Sequence, residues 1–159
     1  MHLEAERRAA CCELVADVAH SAGEVRLKLT GTSMLPAMWP GDEVTVQRCS
    51  LTNLQPGQVV LFRSNGSLVA HRIIHASADG LITRGDSVPQ RDPTVDASAI
   101  VGCVVHVVRN HRSIDIKPNW RHRTLAALLR RSHLCLRLTL RLSRITGTNL
   151  PAFAPPEAA

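Results

Sequence analysis

The chain has 159 residues, of which 45% are hydrophobic, so it is long enough for one domain with a buried core. Its formal net charge of +6 is unevenly spread, because residues 1–108 carry nine basic and eleven acidic side chains while residues 109–144 carry ten basic and one acidic. Five cysteines without a Cys-x-x-Cys pair exclude a disulfide framework and a zinc pattern, so we expect a reducing compartment.

The first predicted element is a helix over residues 3–20, which makes residues 1–22 an N-terminal helical segment. Apolar residues recur there near the helical spacing, at Leu3, Ala10, Leu14 and Val18. No run of the sequence approaches the ~18 apolar residues of a membrane span, and the N-terminal region lacks the apolar stretch of a signal peptide. We therefore expect a cytoplasmic protein, or one that is peripheral at the inner face of the membrane.

Alternation of apolar and polar residues from Val25 to Thr30 predicts a half-buried strand that leads into a turn over residues 31–42. Gly31 permits backbone conformations that are barred to other residues, and Pro36 fixes φ, so this turn is stiff. Its apolar residues are unusual for a solvent loop and typical of a cleft wall: Met34, Leu35, Met38 and Trp39. Ser33 is therefore a candidate nucleophile. The alternative is an ordinary turn hydroxyl.

The chain from residue 43 onwards has the pattern of short strands joined by tight turns. Apolar alternation and apolar runs predict strands over residues 43–48, 58–63, 67–75, 80–84, 100–109 and 112–116. Asn65-Gly66 and Asp79-Gly80 are hairpin signals. Residues 23–118 are therefore predicted to form a mainly β domain.

A serine hydroxyl needs a neighbouring base to take its proton as it attacks a carbonyl group. The strand predicted over residues 67–75 offers His71 and no lysine. Bringing a lysine pKa from ~10.4 to ~7 would cost roughly 4 kcal/mol, whereas histidine starts at about 6.5. His71 is therefore the candidate base, and Asp86 and Asp92 are the candidate carboxylates that would orient it.

Each of these residues has a plainer interpretation. His71 would then be a hydrogen-bonded histidine on a strand face, and the two aspartates would cap turns. His75 shares the predicted strand face with His71, which suggests a metal pair, but no third ligand follows at a recognisable spacing. No cofactor and no metal are predicted.

Four motifs, in this order, resemble those of the signal peptidase I and LexA-like serine peptidases. They are Gly31-x-Ser33-Met34-x-Pro36 with Pro40-Gly41-Asp42, then Gln55-Pro56-Gly57-Gln58-Val59-Val60-Leu61-Phe62, then Val69-Ala70-His71-Arg72-Ile73-Ile74, and finally Thr83-Arg84-Gly85-Asp86 with Asp92. The match covers roughly residues 25–108. Histidine stands where bacterial signal peptidases carry lysine, so the set is similar to the endoplasmic-reticulum, archaeal and sporulation-type enzymes.

The resemblance implies the complex β-fold of these peptidases, with Ser33 as nucleophile, His71 as general base, and Asp86 or Asp92 orienting the base. The amide of Ser33 would hold the oxyanion. Gly31 lacks the hydroxyl that some relatives carry there, so the second donor is either missing or comes from Thr32 or backbone. Substrate contacts are expected at Met34, Leu35 and Pro36. Small residues such as alanine would fit beside the scissile bond of an extended peptide paired to a sheet edge.

The C-terminal part carries the positive charge. The sequence pattern over residues 119–146 predicts a basic amphipathic helix. One stripe of this helix carries arginines, at Arg123, Arg130, Arg137, Arg141 and Arg144. The open alternatives for residues 121–145 are packing on the β domain, docking to a partner protein, and binding an anionic membrane surface; alternating leucines also allow a strand. Nucleic-acid binding is not expected, because stacking aromatic residues are few. Residues 147–159 are expected to be a disordered tail.

These features predict a serine endopeptidase of the signal peptidase and LexA-like class that cleaves a peptide or protein precursor at a small-residue site. One alternative is a self-cleaving regulator of the LexA type that cuts at Ala22-Gly23. That dipeptide lies only ten residues before Ser33, whereas such relatives place it a few tens of residues upstream. A second alternative is a non-catalytic peptide-binding module of the same fold.

Overall fold

The computed structural model of the protein describes residues 2–116 and residue 127. Within this range one helix, α1 (His2–Ala22), precedes seven strands that form one antiparallel sheet. The strands are β1 (Glu24–Lys28), β2 (Glu43–Gln47), β3 (Val59–Ser64), β4 (Ser67–Ser77), β5 (Gly80–Arg84), β6 (Ile100–Arg109) and β7 (Arg112–Ser113). The predicted mainly β fold with an N-terminal helix is confirmed. The helix predicted over residues 119–146, apart from residue 127, and the tail predicted over residues 147–159 lie outside the described residues.

The strand order across the sheet is β1-β2-β6-β3-β4-β5, and β7 pairs with β6. The long strand β6 holds the sheet together, because its first part pairs with β3 and its later part pairs with β2. β4 is an interior strand, with β3 on one side and β5 on the other. A residue near the middle of β4 is therefore fixed by hydrogen-bonded neighbours on both sides.

Both faces of β3 are buried, which explains its continuous apolar sequence. Val59 and Leu61 belong to a hydrophobic cluster on one face of the sheet, and Val60 and Phe62 belong to a second cluster on the other face. Helix α1 covers the first cluster through small residues, since Ala19 is fully buried within that cluster. No helix in residues 2–116 is long and apolar enough to cross a membrane.

The turns follow the local chemistry of their residues. Asn65 and Gly66 have φ values of 48° and 69°, so the predicted hairpin between β3 and β4 is present. The hairpin between β4 and β5 turns on residues 78 and 79, one position earlier than predicted, and Gly80 begins β5. A Cβ atom on Gly80 would lie 2.6 Å from the carbonyl oxygen of Val95, so the position requires glycine.

Candidate active site

The turn between β1 and β2 presents Ser33 and is anchored in the core. Met34 and Met38 belong to the hydrophobic cluster beneath α1, and the Met38 amide donates to the Met34 carbonyl at 3.0 Å. At the end of the turn the buried Asp42 accepts two hydrogen bonds of 2.7 Å from the Arg109 guanidinium. The apolar residues of this turn therefore hold its backbone in place. Their side chains pack mainly in the hydrophobic core, whereas the sequence predicted that they form the wall of a cleft.

His71 lies in the middle of β4, beside Ser33. Its Nε2 atom is 3.0 Å from Ser33 Oγ, and its Nδ1 atom is 2.6 Å from Asp92 Oδ2. His71 is 7% exposed, and the ring of Phe62 meets its ring edge-on with centroids 6.1 Å apart. With Nδ1–H donating to the carboxylate, Nε2 has a lone pair with which to accept the Ser33 hydroxyl proton.

Asp92 is held by a residue that sequence reasoning did not assign to the site. Thr83 Oγ1 donates to Asp92 Oδ2 at 2.7 Å, and the Asp92 amide donates to the Thr83 carbonyl at 2.9 Å. Thr83 is fully buried on β5, the strand next to the one that carries His71. The feature of the sequence that could have indicated Thr83 is its place on a predicted strand just before the Gly85-Asp86 turn.

Asp86, the other candidate carboxylate, does not contact His71 but pairs with Arg72. Two hydrogen bonds, of 2.8 and 2.7 Å, join the Arg72 guanidinium to the Asp86 carboxylate. The same guanidinium donates to the carbonyls of Gly57 and Ile116 at 2.7 and 3.2 Å. Neighbouring residues of a strand point to opposite faces, so His71 and Arg72 recruit different aspartates. The structure thus brings Asp92, and not Asp86, to His71.

A groove of about 450 Å³ runs beside Ser33 and His71, between residues 27–31, which are the end of β1 and the segment after it, and residues 68–71 on β4. Apolar side chains line much of it, including Leu27, Leu29, Met34, Leu61 and Leu68. Leu35 and Pro36 are buried and do not line the groove, so Met34 is the one of the three predicted substrate-contact residues that does.

Among the strands of residues 2–116, β1 pairs with β2 alone, and its other edge faces this groove. The Leu29 amide donates to Asp42 and its carbonyl accepts from Gly41, so the backbone groups of Leu29 face β2. Backbone groups alternate in direction along a strand, so those of Lys28, the last residue of β1, face away from β2. An extended chain in the groove would find these groups as hydrogen-bond partners.

The amide of Ser33 is the donor that the sequence predicts for the oxyanion. Within residues 2–116 it donates to no acceptor, although the Ser33 side chain and carbonyl are both engaged. The carbonyl of Thr32, the other residue predicted at the oxyanion, accepts from the Leu35 amide at 3.2 Å. No group of three or more His, Cys, Asp or Glu residues in the described part of the chain is arranged to hold a metal ion.

Comparison with known protein families finds no family model that matches this chain. A search of curated proteins finds no match either. What the protein does must therefore follow from its own residues.

Proposed function

We propose that the chain is a serine endopeptidase of the histidine-type signal peptidase and LexA-like class. The observation that carries this proposal is the unbroken hydrogen-bonded series Ser33–His71–Asp92, with distances of 3.0 and 2.6 Å, in a groove lined by apolar residues. The three residues lie in three of the motifs that resemble this class. Nucleophile, base and orienting carboxylate are the parts that peptide-bond hydrolysis by a serine requires.

In the proposed reaction each residue has a defined role. As Ser33 Oγ attacks the peptide carbonyl, its proton moves to Nε2 of His71, and Asp92 stabilises the imidazolium through Nδ1–H. The amide of Ser33 donates to the oxyanion that develops on the carbonyl oxygen. His71 then gives its proton to the leaving amine, which releases the first product and leaves an acyl group on Ser33. Water attacks this ester, with His71 again as base.

The groove favours an extended peptide as substrate. The backbone groups of Lys28 would pair with such a chain as an added strand, and the apolar lining would take its alternate side chains. The resemblance adds a preference for small residues such as alanine beside the scissile bond. We therefore propose a peptide or protein precursor as the substrate.

Self-cleavage at Ala22-Gly23 has less support. Ala22 is the last residue of α1, and the Gly23 carbonyl accepts a hydrogen bond from the Arg48 amide at 2.9 Å. The bond lies before β1 and Ser33 lies after it, and β1 alone spans about 16 Å, at ~3.3 Å for each of its five residues. The helix end would have to unwind and move before Ser33 reached it. A non-catalytic binding module would have no need of the Ser33–His71–Asp92 geometry.

The direct test is cleavage of a diverse peptide mixture, with the products identified by mass spectrometry. Cuts made by the wild type and absent with Ser33→Ala support the proposal, and aligned cut sites would give the specificity. Ser98→Ala, which changes an exposed serine away from the groove, is the matched control and should cut like the wild type. Equal products from the wild type and Ser33→Ala would overturn the proposal.

A further inference from the structure

The turn formed by Gly85, Asp86 and Ser87 lies directly against the nucleophile. A Cβ atom on Gly85 would be 2.7 Å from the carbonyl oxygen of Ser33 and 3.0 Å from its Cβ. Real Cβ atoms do not approach other atoms so closely, so this contact requires glycine at residue 85. The close packing brings the next two residues of the turn within hydrogen-bonding reach of the nucleophile's backbone.

Ser87 donates hydrogen bonds to two consecutive backbone carbonyl groups at the nucleophile. Its amide donates to the Ser33 carbonyl at 2.9 Å. Its hydroxyl oxygen lies 3.0 Å from the Thr32 carbonyl oxygen and 3.0 Å from that of Ser33, and its one proton serves both. Apart from the Leu35 amide at 3.2 Å, Ser87 is the partner that the structure gives the Thr32 carbonyl.

Holding the Thr32 carbonyl fixes the direction of the Ser33 amide. The carbonyl of one residue and the amide of the next belong to one planar trans peptide unit, in which C=O and N–H point in opposite directions. A bond that fixes Thr32 C=O therefore also fixes Ser33 N–H, the donor proposed for the oxyanion. The second bond, to the Ser33 carbonyl, fixes the following peptide plane and so restrains the Cα that carries Oγ.

The turn is tied to the same strand as the base. Asp86, between Gly85 and Ser87, forms its two-bond ion pair with Arg72, the residue after His71. The side chains of Arg72 and Asp86 are 9% and 16% exposed, so this link is largely screened from water. This link fixes the nucleophile and the base relative to each other, although they lie 38 residues apart in the sequence.

We propose that Ser87 is a positioning residue of the reaction: its hydroxyl, through the Thr32 carbonyl, aims the Ser33 amide at the oxyanion, its amide restrains the Ser33 carbonyl, and the Asp86–Arg72 pair anchors the turn. Ser87 touches no substrate and acts through Thr32 and Ser33. This inference rests on the proposed peptidase function. It predicts that loss of the Ser87 hydroxyl weakens stabilisation of the transition state while substrate binding in the groove is unchanged.

The test measures kcat and KM for the full-length wild type, Ser33→Ala, Ser87→Ala and Ser87→Thr on a peptide that the wild type cuts. We expect Ser87→Ala to lower kcat at least about tenfold, short of the 10²–10³ that loss of a whole oxyanion donor costs, with KM within about twofold. Ser87→Thr keeps the hydroxyl and should recover most of kcat. The matched control is Ser77→Ala, which removes a similar hydroxyl-to-carbonyl bond, of 3.2 Å, in the distant β4–β5 hairpin.

Circular dichroism at the assay temperature gives the folded fraction of each variant, so that kcat is expressed per folded molecule. A normal kcat per folded Ser87→Ala molecule, or a change in KM alone, would overturn the inference. The peptidase function would still stand in that case, provided that the wild type shows Ser33-dependent cleavage. Equal losses in Ser87→Ala and Ser87→Thr would also overturn it, because the hydroxyl would then not be the group that matters. No Ser33-dependent cleavage by the wild type would instead remove the peptidase function itself.

Discussion

Two aspartates six residues apart occupy different electrostatic settings. Asp92 faces the imidazole of His71 and the Thr83 hydroxyl, whereas Asp86 faces a guanidinium that is always charged. A carboxylate beside a neutral imidazole gains a partner charge only when that imidazole takes up a proton. In the proposed reaction Asp92 would therefore act when His71 takes up the proton, whereas Asp86 stabilises the fold through its ion pair with Arg72.

Substitution of each aspartate by asparagine should separate these two roles. Asp92→Asn leaves no acceptor charge for Nδ1–H, so we expect kcat to fall about 10²–10⁴-fold with little change in the free energy of unfolding. Asp86→Asn leaves the Arg72 charge buried without its counter-ion, so we expect the free energy of unfolding to fall by about 3–5 kcal/mol. Chemical denaturation and steady-state kinetics on both variants check this, and the reverse pattern would exchange the two roles.

The hydroxyl of Thr83 should matter through Asp92. Thr83→Val keeps the shape of this fully buried side chain and removes its hydrogen bond to the carboxylate, so we expect about 1.5–3 kcal/mol less stability and a lower kcat. Thr83→Ser keeps the hydroxyl and loses a methyl group, and its kcat should stay close to that of the wild type. Equal losses of kcat in both variants would show that packing, and not the hydrogen bond, is what the site needs.

Cys103 offers a test of burial that does not depend on activity. Burial on β6, and then the nearby Cys49, raise the pKa of the Cys103 thiol from 9.0 to about 11. At pH 8 its thiolate fraction is therefore about a hundredfold smaller than that of an ordinary thiol, and we expect slow reaction with a thiol reagent while the exposed Cys11 reacts fast.

The raised pKa of the Cys103 thiol also makes the protein less stable in alkali. The unfolded chain loses this proton first, so the free energy of unfolding should decline between pH 9 and pH 11 and be insensitive to this thiol below pH 9. Cys103→Ser should flatten that decline. Fast modification of Cys103 in the native protein at pH 8 would contradict the burial of this strand.

At the scale of elements, the strand β1 is the part of the sheet that a substrate would meet. The opposite edge, β5, is partly covered, because Leu81 exchanges two backbone hydrogen bonds with Val95, of 3.0 and 2.8 Å. β1 has β2 on one side and the groove on the other. A peptide that adds to β1 would pair through every second residue.

An N-methyl scan of a cleaved peptide tests this pairing. Methylation of an amide that donates to β1 removes about 0.5–1.5 kcal/mol of hydrogen bonding, so KM should rise roughly two- to tenfold at alternate positions and change little at those between. A flat profile along the peptide would show that the substrate does not bind as an added strand. The unmethylated peptide with the same sequence is the control.

The elements themselves follow closely from the sequence, whereas the contacts between them do not. Strand bounds agree with the predicted ones within about two residues because period-two alternation is a local signal, except that β7 ends at Ser113 and not at residue 116. The partner of His71 depends instead on strand register and on how the chain after β5 folds back onto Thr83. Spacing shows that Asp86 and Asp92 flank a turn, but not which face of β4 each one meets.

At the scale of the whole molecule, one sheet carries the structural core on both faces and gathers the site from distant parts of the chain. Ser33 comes from the β1–β2 turn, His71 from β4, and Asp92 from the segment after β5. The three meet only when strands separated in sequence have paired. The arrangement is therefore a property of the folded chain, and its residues should act as one unit.

The most direct test of this unit is the pH dependence of kcat/KM on a peptide that the wild type cuts in a Ser33-dependent way. If His71 takes the Ser33 proton, its protonated form is inactive, so kcat/KM should fall tenfold per pH unit on the acid side. His71→Ala should lose nearly all turnover, and the double variant with Ser33→Ala should lose no more. A wild-type rate that stays flat into acid, or a His71→Ala variant with near-normal activity, would contradict the account.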